Sequence, residues 1–135
     1  MERTEITREA MKPLLSPYGL AEAVRVGGML HLSGQTGIDE RLQVVPGGLK
    51  AQALQAFRNI ADVLKAADAG PQNLVSLTWY LVEGADPRSF MEDALEVTAA
   101  REEIFPGLRT ASTAVRVRAL LTDDLLIEIQ AVAAL

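Results

Sequence analysis

The chain has no cysteine and a single histidine in 135 residues, and these two shortages remove several chemistries at once. Without thiols there is no disulfide and no zinc held by thiolates. With one imidazole, a metal site of several histidines cannot be built within one chain, and a Ser-His-Asp arrangement has only His31 to rest on. His31 lies between Leu30 and Leu32 in a strand-like run with no nucleophile motif beside it, the setting of a packed or solvent-facing histidine. Basic residues are also short. Thirteen Lys and Arg against eighteen Asp and Glu give a net charge of −5, the wrong sign for a protein that binds by neutralising phosphates, so nucleic-acid binding is disfavoured. Long apolar runs are missing too: apolar residues reach 49% but are interrupted every few positions by Arg, Asp, Glu or Gly, so no membrane helix is expected. Residues 1–6 lack the continuous apolar region of a secretory signal, and a cytoplasmic location is the expectation.

What is present is a regular alternation of strand and helix signals, without an internal repeat or a linker, over one domain spanning residues 1–135. Ala21 to Val26 and Met29 to Ser33 read as short strands joined by Gly27-Gly28 in a tight hairpin turn. Pro46-Gly47-Gly48 marks a loop. From Ala53, the positions Ala56, Phe57, Ile60, Val63, Leu64 and Ala67 recur at spacings of three and four, which predicts a helix ended by Gly70-Pro71. Val75 to Val82 is rich in β-branched and aromatic residues and reads as a strand. Asp86-Pro87 reads as the cap and first turn of a second helix, with Phe90, Ala94, Val97 and Ile104 on its stripe up to Pro106. Thr113 to Arg118 and Leu125 to Ala133 alternate as two closing strands, and a further strand is expected near Glu2 to Ile6. The order ββ-α-β-α-ββ implies an α+β fold, one mixed sheet with two helices on a single face. Its other face, carrying Trp79 or Tyr80 with Leu126 and Val132, is a large apolar surface for a monomer. Either self-association or the N-terminal segment is expected to cover it.

The hairpin ending in Leu32-Ser33-Gly34-Gln35, the helix with Gln52 and Asn59, the strand Val75 to Val82, and the closing Val115-x-Val117 and Glu128-Ile129-Gln130-Ala131 occur in that order and spacing. Together they resemble the reactive intermediate deaminase (Rid, or YjgF) family over nearly the whole chain. The resemblance implies a chorismate-mutase-like α+β fold and a homotrimer with ligand clefts at its subunit interfaces. It also implies hydrolysis of small enamines and imines without metal or organic cofactor. In active members an arginine before the penultimate strand grips the substrate carboxylate at two points, a geometry that guanidinium suits. A glutamate in the last strand positions or deprotonates water.

Carried over residue by residue, the family glutamate falls on Glu128, and Ser33 and Gly34 fall on cleft-lining positions. Ser112 falls where the arginine belongs, and serine supplies neither charge nor a two-point grip. The helix position of a cleft asparagine falls on Ala94. Tyr18 lies about two residues early for the cleft tyrosine, leaving Leu20 as the alternative. Arg109, three residues before Ser112, is the candidate replacement clamp for a small carboxylate-bearing metabolite. Arg116 and Arg118 share strand parity with Ser112. If the last two strands form a hairpin centred near Thr122, Arg116 comes opposite Glu128, which then reads equally as an ion-pair partner or as the water-activating base. The rival to the enzyme is a non-catalytic ligand-binding trimer that has lost the clamp. RNA cleavage, attributed to some members, ranks last on charge and on the lack of a histidine pair.

Overall fold

The computed structural model describes residues 2–83 and 89–135. Six strands form one sheet: β1 (Arg3–Ile6), β2 (Ala23–Val26), β3 (Met29–Thr36), β4 (Leu74–Val82), β5 (Ala111–Val117) and β6 (Ile127–Ala134), in the spatial order β1-β2-β3-β6-β4-β5. All neighbours run antiparallel except β4 and β5, which are parallel. A short helix α1 (Lys12–Leu15) follows β1, and two long helices, α2 (Gly48–Ala66) and α3 (Phe90–Ile104), pack against each other. The expected mixed sheet with two long helices on one face is present, with α1 as a third helix.

The pattern of burial follows from strand parity. Leu77, Trp79 and Leu81 on β4 and Ile127, Ile129, Ala131 and Ala133 on β6 point under the helices, where they meet Ala53, Ala56, Phe57, Ile60 and Leu64 of α2. Phe57 and Phe105 close the core edge to face, with ring centroids 6.0 Å apart. The helix stripe read from Ala53 is therefore the buried one, although α2 begins five residues earlier, at Gly48. α3 starts with a capping box in which Ser89 and Glu92 satisfy each other's backbone amides. Asp86 and Pro87, read as its cap, lie outside the described residues.

One sequence expectation is overturned. The last two strands do not form a hairpin: β6 inserts between β3 and β4, while β5 lies on the far edge beside β4. The β4-α3-β5 connection carries the crossover helix that a parallel pair requires, and the 118–126 connection exceeds a hairpin loop. Arg116 accordingly faces Leu81 of β4, not Glu128. Its guanidinium lies over the Phe90 ring and pairs with Asp93 of α3 at 2.7 Å.

The opposite sheet face carries Tyr80, Val132 and His31, with Trp79 buried under the helices instead. The N-terminal segment borders it beside Val24, Ser33 and Glu128. After pairing with β2, this segment turns beside Glu22 and runs to the end of the sheet where Glu128 stands. No helix among the described residues is long and apolar enough to cross a membrane.

Candidate functional site

The site begins with an irregularity in β3. Leu32 pairs with Ala131 and Gln35 with Ile129, so Ser33 and Gly34 occupy a space on β3 that has one counterpart on β6. This is a β-bulge, a device that re-aims side chains and backbone. Ser33 is fixed on both sides: its amide donates to the Glu22 carbonyl at 2.8 Å and its hydroxyl to the Ala21 carbonyl at 2.6 Å. Gly34 then passes directly under Glu128. A Cβ at position 34 would lie 2.6 Å from Glu128 Cδ, so only glycine lets that carboxyl rest where it does.

Glu128 stands on the face away from the helices, between Thr36 of β3 and Tyr80 of β4. It makes no hydrogen bond or ion pair among the described residues, and burial pushes its carboxyl above the ordinary carboxylate range. The cleft in front of it has a volume of about 370 Å³, within the range of small-molecule sites. Leu14 and Leu15 of α1, Ile38 and Leu125 form its walls, with Tyr18, Leu20 and Leu121 at the mouth. Of the residues singled out from sequence, Glu128, Ser33, Gly34 and Tyr18 come together here, and Leu20, the alternative to Tyr18, lines the same cleft.

Buried polar residues hold this arrangement. Asn59 of α2 donates from Nδ2 to the carbonyls of Thr36 and Ile38, at 3.1 and 2.9 Å, where the chain leaves β3. Gln52, two turns earlier on α2, donates to the Asp124 carbonyl at 2.9 Å and accepts from the Leu126 amide at 2.8 Å, which fixes the loop carrying Leu121 and Leu125. Glu22 is 1% exposed and receives the Arg8 backbone amide, Nε and Nη2. That pair ties the N-terminal segment to the backbone holding Ser33. Gln52 and Asn59 were legible as polar residues on an apolar helix stripe; Glu22 carried no such signal, because its partner lies fourteen residues away in an irregular segment.

The remaining candidates lie elsewhere. Arg109 is exposed in the loop before β5. Ser112 is exposed on β5, its hydroxyl 3.0 Å from that of Thr110, and β5 is separated from β6 by β4. Neither lines the cleft of its own chain. Arg116 is engaged by Asp93, Arg118 is exposed beyond the end of β5, and His31 is exposed on the open sheet face. Ala94 packs against the core from α3. Among the described residues no group of three or more His, Asp or Glu gathers as a metal site. What the cleft offers chemically is one desolvated carboxyl facing an apolar space, able to take a proton from water or to hold a cation.

Comparison with known proteins identifies the family and the fold. The profile of the endoribonuclease L-PSP family matches residues 10–135. The mouse 2-iminobutanoate/2-iminopropanoate deaminase is 34% identical over 120 residues, covering 88% of this chain and 82% of its own. A RutC family protein of Pyrococcus horikoshii is 32% identical over 134 residues, 98% of both chains. A crystal structure of a YjgF/YER057c/UK114 family member from Mycobacterium tuberculosis superposes with a TM-score of 0.78 at 27% identity, covering 99% of this chain and 100% of that one.

Proposed function

Since the chain belongs to the endoribonuclease L-PSP family, the YjgF or Rid family, we propose that it is a hydrolytic deaminase of small imines and enamines. On this reading it works without a cofactor, in clefts completed between the subunits of a homotrimer. The observation that carries the proposal is the unpaired, half-buried Glu128 carboxyl laid over Gly34 at the end of the cleft. The name of the mouse relative supports the choice of reaction.

An iminium carbon is already electrophilic, so the protein has to hold the substrate, orient one water and move one proton. Glu128 takes a proton from water as the water oxygen bonds to the carbon and the C=N electron pair moves to nitrogen. The carboxyl then returns the proton to the amine; as the C–N bond breaks, Glu128 takes the hydroxyl proton, C=O forms, and ammonia leaves with that proton as ammonium. Burial raises the carboxyl's pKa, which makes it a better proton acceptor for the first transfer. Ser33 and Gly34 act as positioning groups through the bulge, and Tyr18 borders the entrance.

The exposure of Val115 and Met29 on the open sheet face supports the trimer in this reading. On the same reading, a neighbouring copy's β5 region completes a cleft that one chain leaves open. A second reading, a trimer that binds a small ligand without converting it, is favoured by one specific observation: among the described residues no basic side chain lines the cleft. RNA cleavage, named in the family description, is opposed by the net charge of −5 and by a carboxylate as the cleft's charged group.

The test is to generate imines in situ with an amino-acid or amine oxidase and follow carbonyl release with and without the protein. The hydrolase reading expects acceleration that falls about 10²- to 10⁴-fold in Glu128→Gln. No acceleration of any imine over its spontaneous rate supports the binding trimer instead.

A further inference from the structure

The cleft's charge and wall composition bear on which imine it takes. Its wall is apolar, from Leu14, Leu15, Ile38 and Leu125, and the one charged side chain lining it among the described residues is Glu128. Among the described residues of the chain, no lysine, arginine or histidine lines it. Arg8, on the segment that leads into the wall, is taken up by Glu22. Resting on the hydrolase reading above, we propose that the ligand is a carboxylate-free iminium, positive at nitrogen and carried on a branched aliphatic or aromatic body. This departs from the carboxylate-bearing metabolite that the resemblance implies.

A desolvated carboxylate without a partner is costly, and a cation placed against it recovers part of that cost. An iminium supplies that cation at the atom next to the carbon under attack. A 2-imino acid supplies it too, but brings its own carboxylate one bond from the same carbon, placing two anions in an apolar space. An arginine clamp removes that conflict. Here Ser112 stands in its place, and both Ser112 and Arg109 lie two strands away from Glu128 in the same chain. Like charges brought together act as a filter against the wrong ligand. The substrate must then come from a reaction that oxidises an amine to C=N and leaves no acid beside it, such as flavin-dependent amine oxidation.

A matched pair of ligands sharing one isobutyl body tests this. Titration calorimetry is run with 3-methylbutylammonium and with 4-methylpentanoate. Turnover is followed as ammonia release from 3-methylbutan-1-imine, made by an amine oxidase, and from 4-methyl-2-iminopentanoate, made by an amino-acid oxidase. The ammonium ion is expected to bind roughly 100-fold more tightly than the carboxylate, and the first imine to be hydrolysed with a kcat/KM higher by the same factor. In Glu128→Gln, folded by its melting profile, the binding preference disappears. Equal or better use of the 2-imino acid, removed by Arg109→Ala, overturns the inference and leaves the hydrolase reading standing. Preferred binding of the ammonium ion with neither imine accelerated supports the ligand class and overturns the hydrolase reading. No preference and no acceleration overturns both.

Discussion

A methyl group at position 34 would stand 2.6 Å from Glu128 Cδ, and what gives way is the end of a flexible side chain rather than backbone. Gly34→Ala is therefore expected to leave stability within about 1 kcal/mol of wild type while turnover falls about 100-fold, because a carboxyl displaced by an ångström no longer meets its water. Melting curves and kcat on the same preparation check both halves. Glu128 also links function to stability. Burial raises its pKa, so the folded state holds the proton more tightly than the unfolded chain does. The stability this provides is fully present below the ordinary carboxyl pKa and is lost as pH rises through the raised value. Glu128→Gln escapes that loss. In urea unfolding the variant is expected to be more stable than wild type at pH 7, with the difference shrinking as pH falls toward the ordinary carboxyl pKa. Both residues were readable as motif positions in the sequence. Their contact was not, because it depends on a bulge that Ser33-Gly34 does not announce.

At the scale of elements, local patterns and the near hairpin read correctly, and the pairing of the last two strands did not. The α2 stripe and the β2–β3 hairpin are set by near neighbours along the chain and stand where periodicity places them. The position of β6 between β3 and β4 is decided by burial of Ile127 and Ile129 under α2, a contact across more than sixty residues that alternation alone does not specify. The same error carried Arg116 to the wrong partner. The N-terminal segment has the least regular sequence signal, yet its Arg8–Glu22 pair anchors the backbone behind Ser33, with side chains 13% and 1% exposed. Arg8→Met leaves Glu22 charged and uncompensated in the interior. The expected cost is about 3–5 kcal/mol, read by denaturant unfolding. A cost below about 1 kcal/mol means that the pair does not hold this segment.

For the whole molecule, the open face is the feature that one chain leaves unresolved. Thr36, Glu128, Tyr80 and Val115 form one row across it, so the face that needs covering and the edge of the cleft are continuous. Sedimentation equilibrium at micromolar concentration is expected to give three times the chain mass, and Val115→Asp to shift it toward one. A wild-type monomer contradicts the trimer. The family and fold were readable from the order and spacing of the segments. The ligand was less so, because the cleft wall is drawn from α1, β3 and the 118–126 connection, which come together through tertiary packing. A half-buried Glu128 acting on water is tested most directly by the pH dependence of kcat/KM for imine hydrolysis. Wild type is expected to show an acid limb with a midpoint above the ordinary carboxylate range, absent from the residual activity of Glu128→Gln. A Glu128→Gln protein that keeps the wild-type rate and the same acid limb contradicts it.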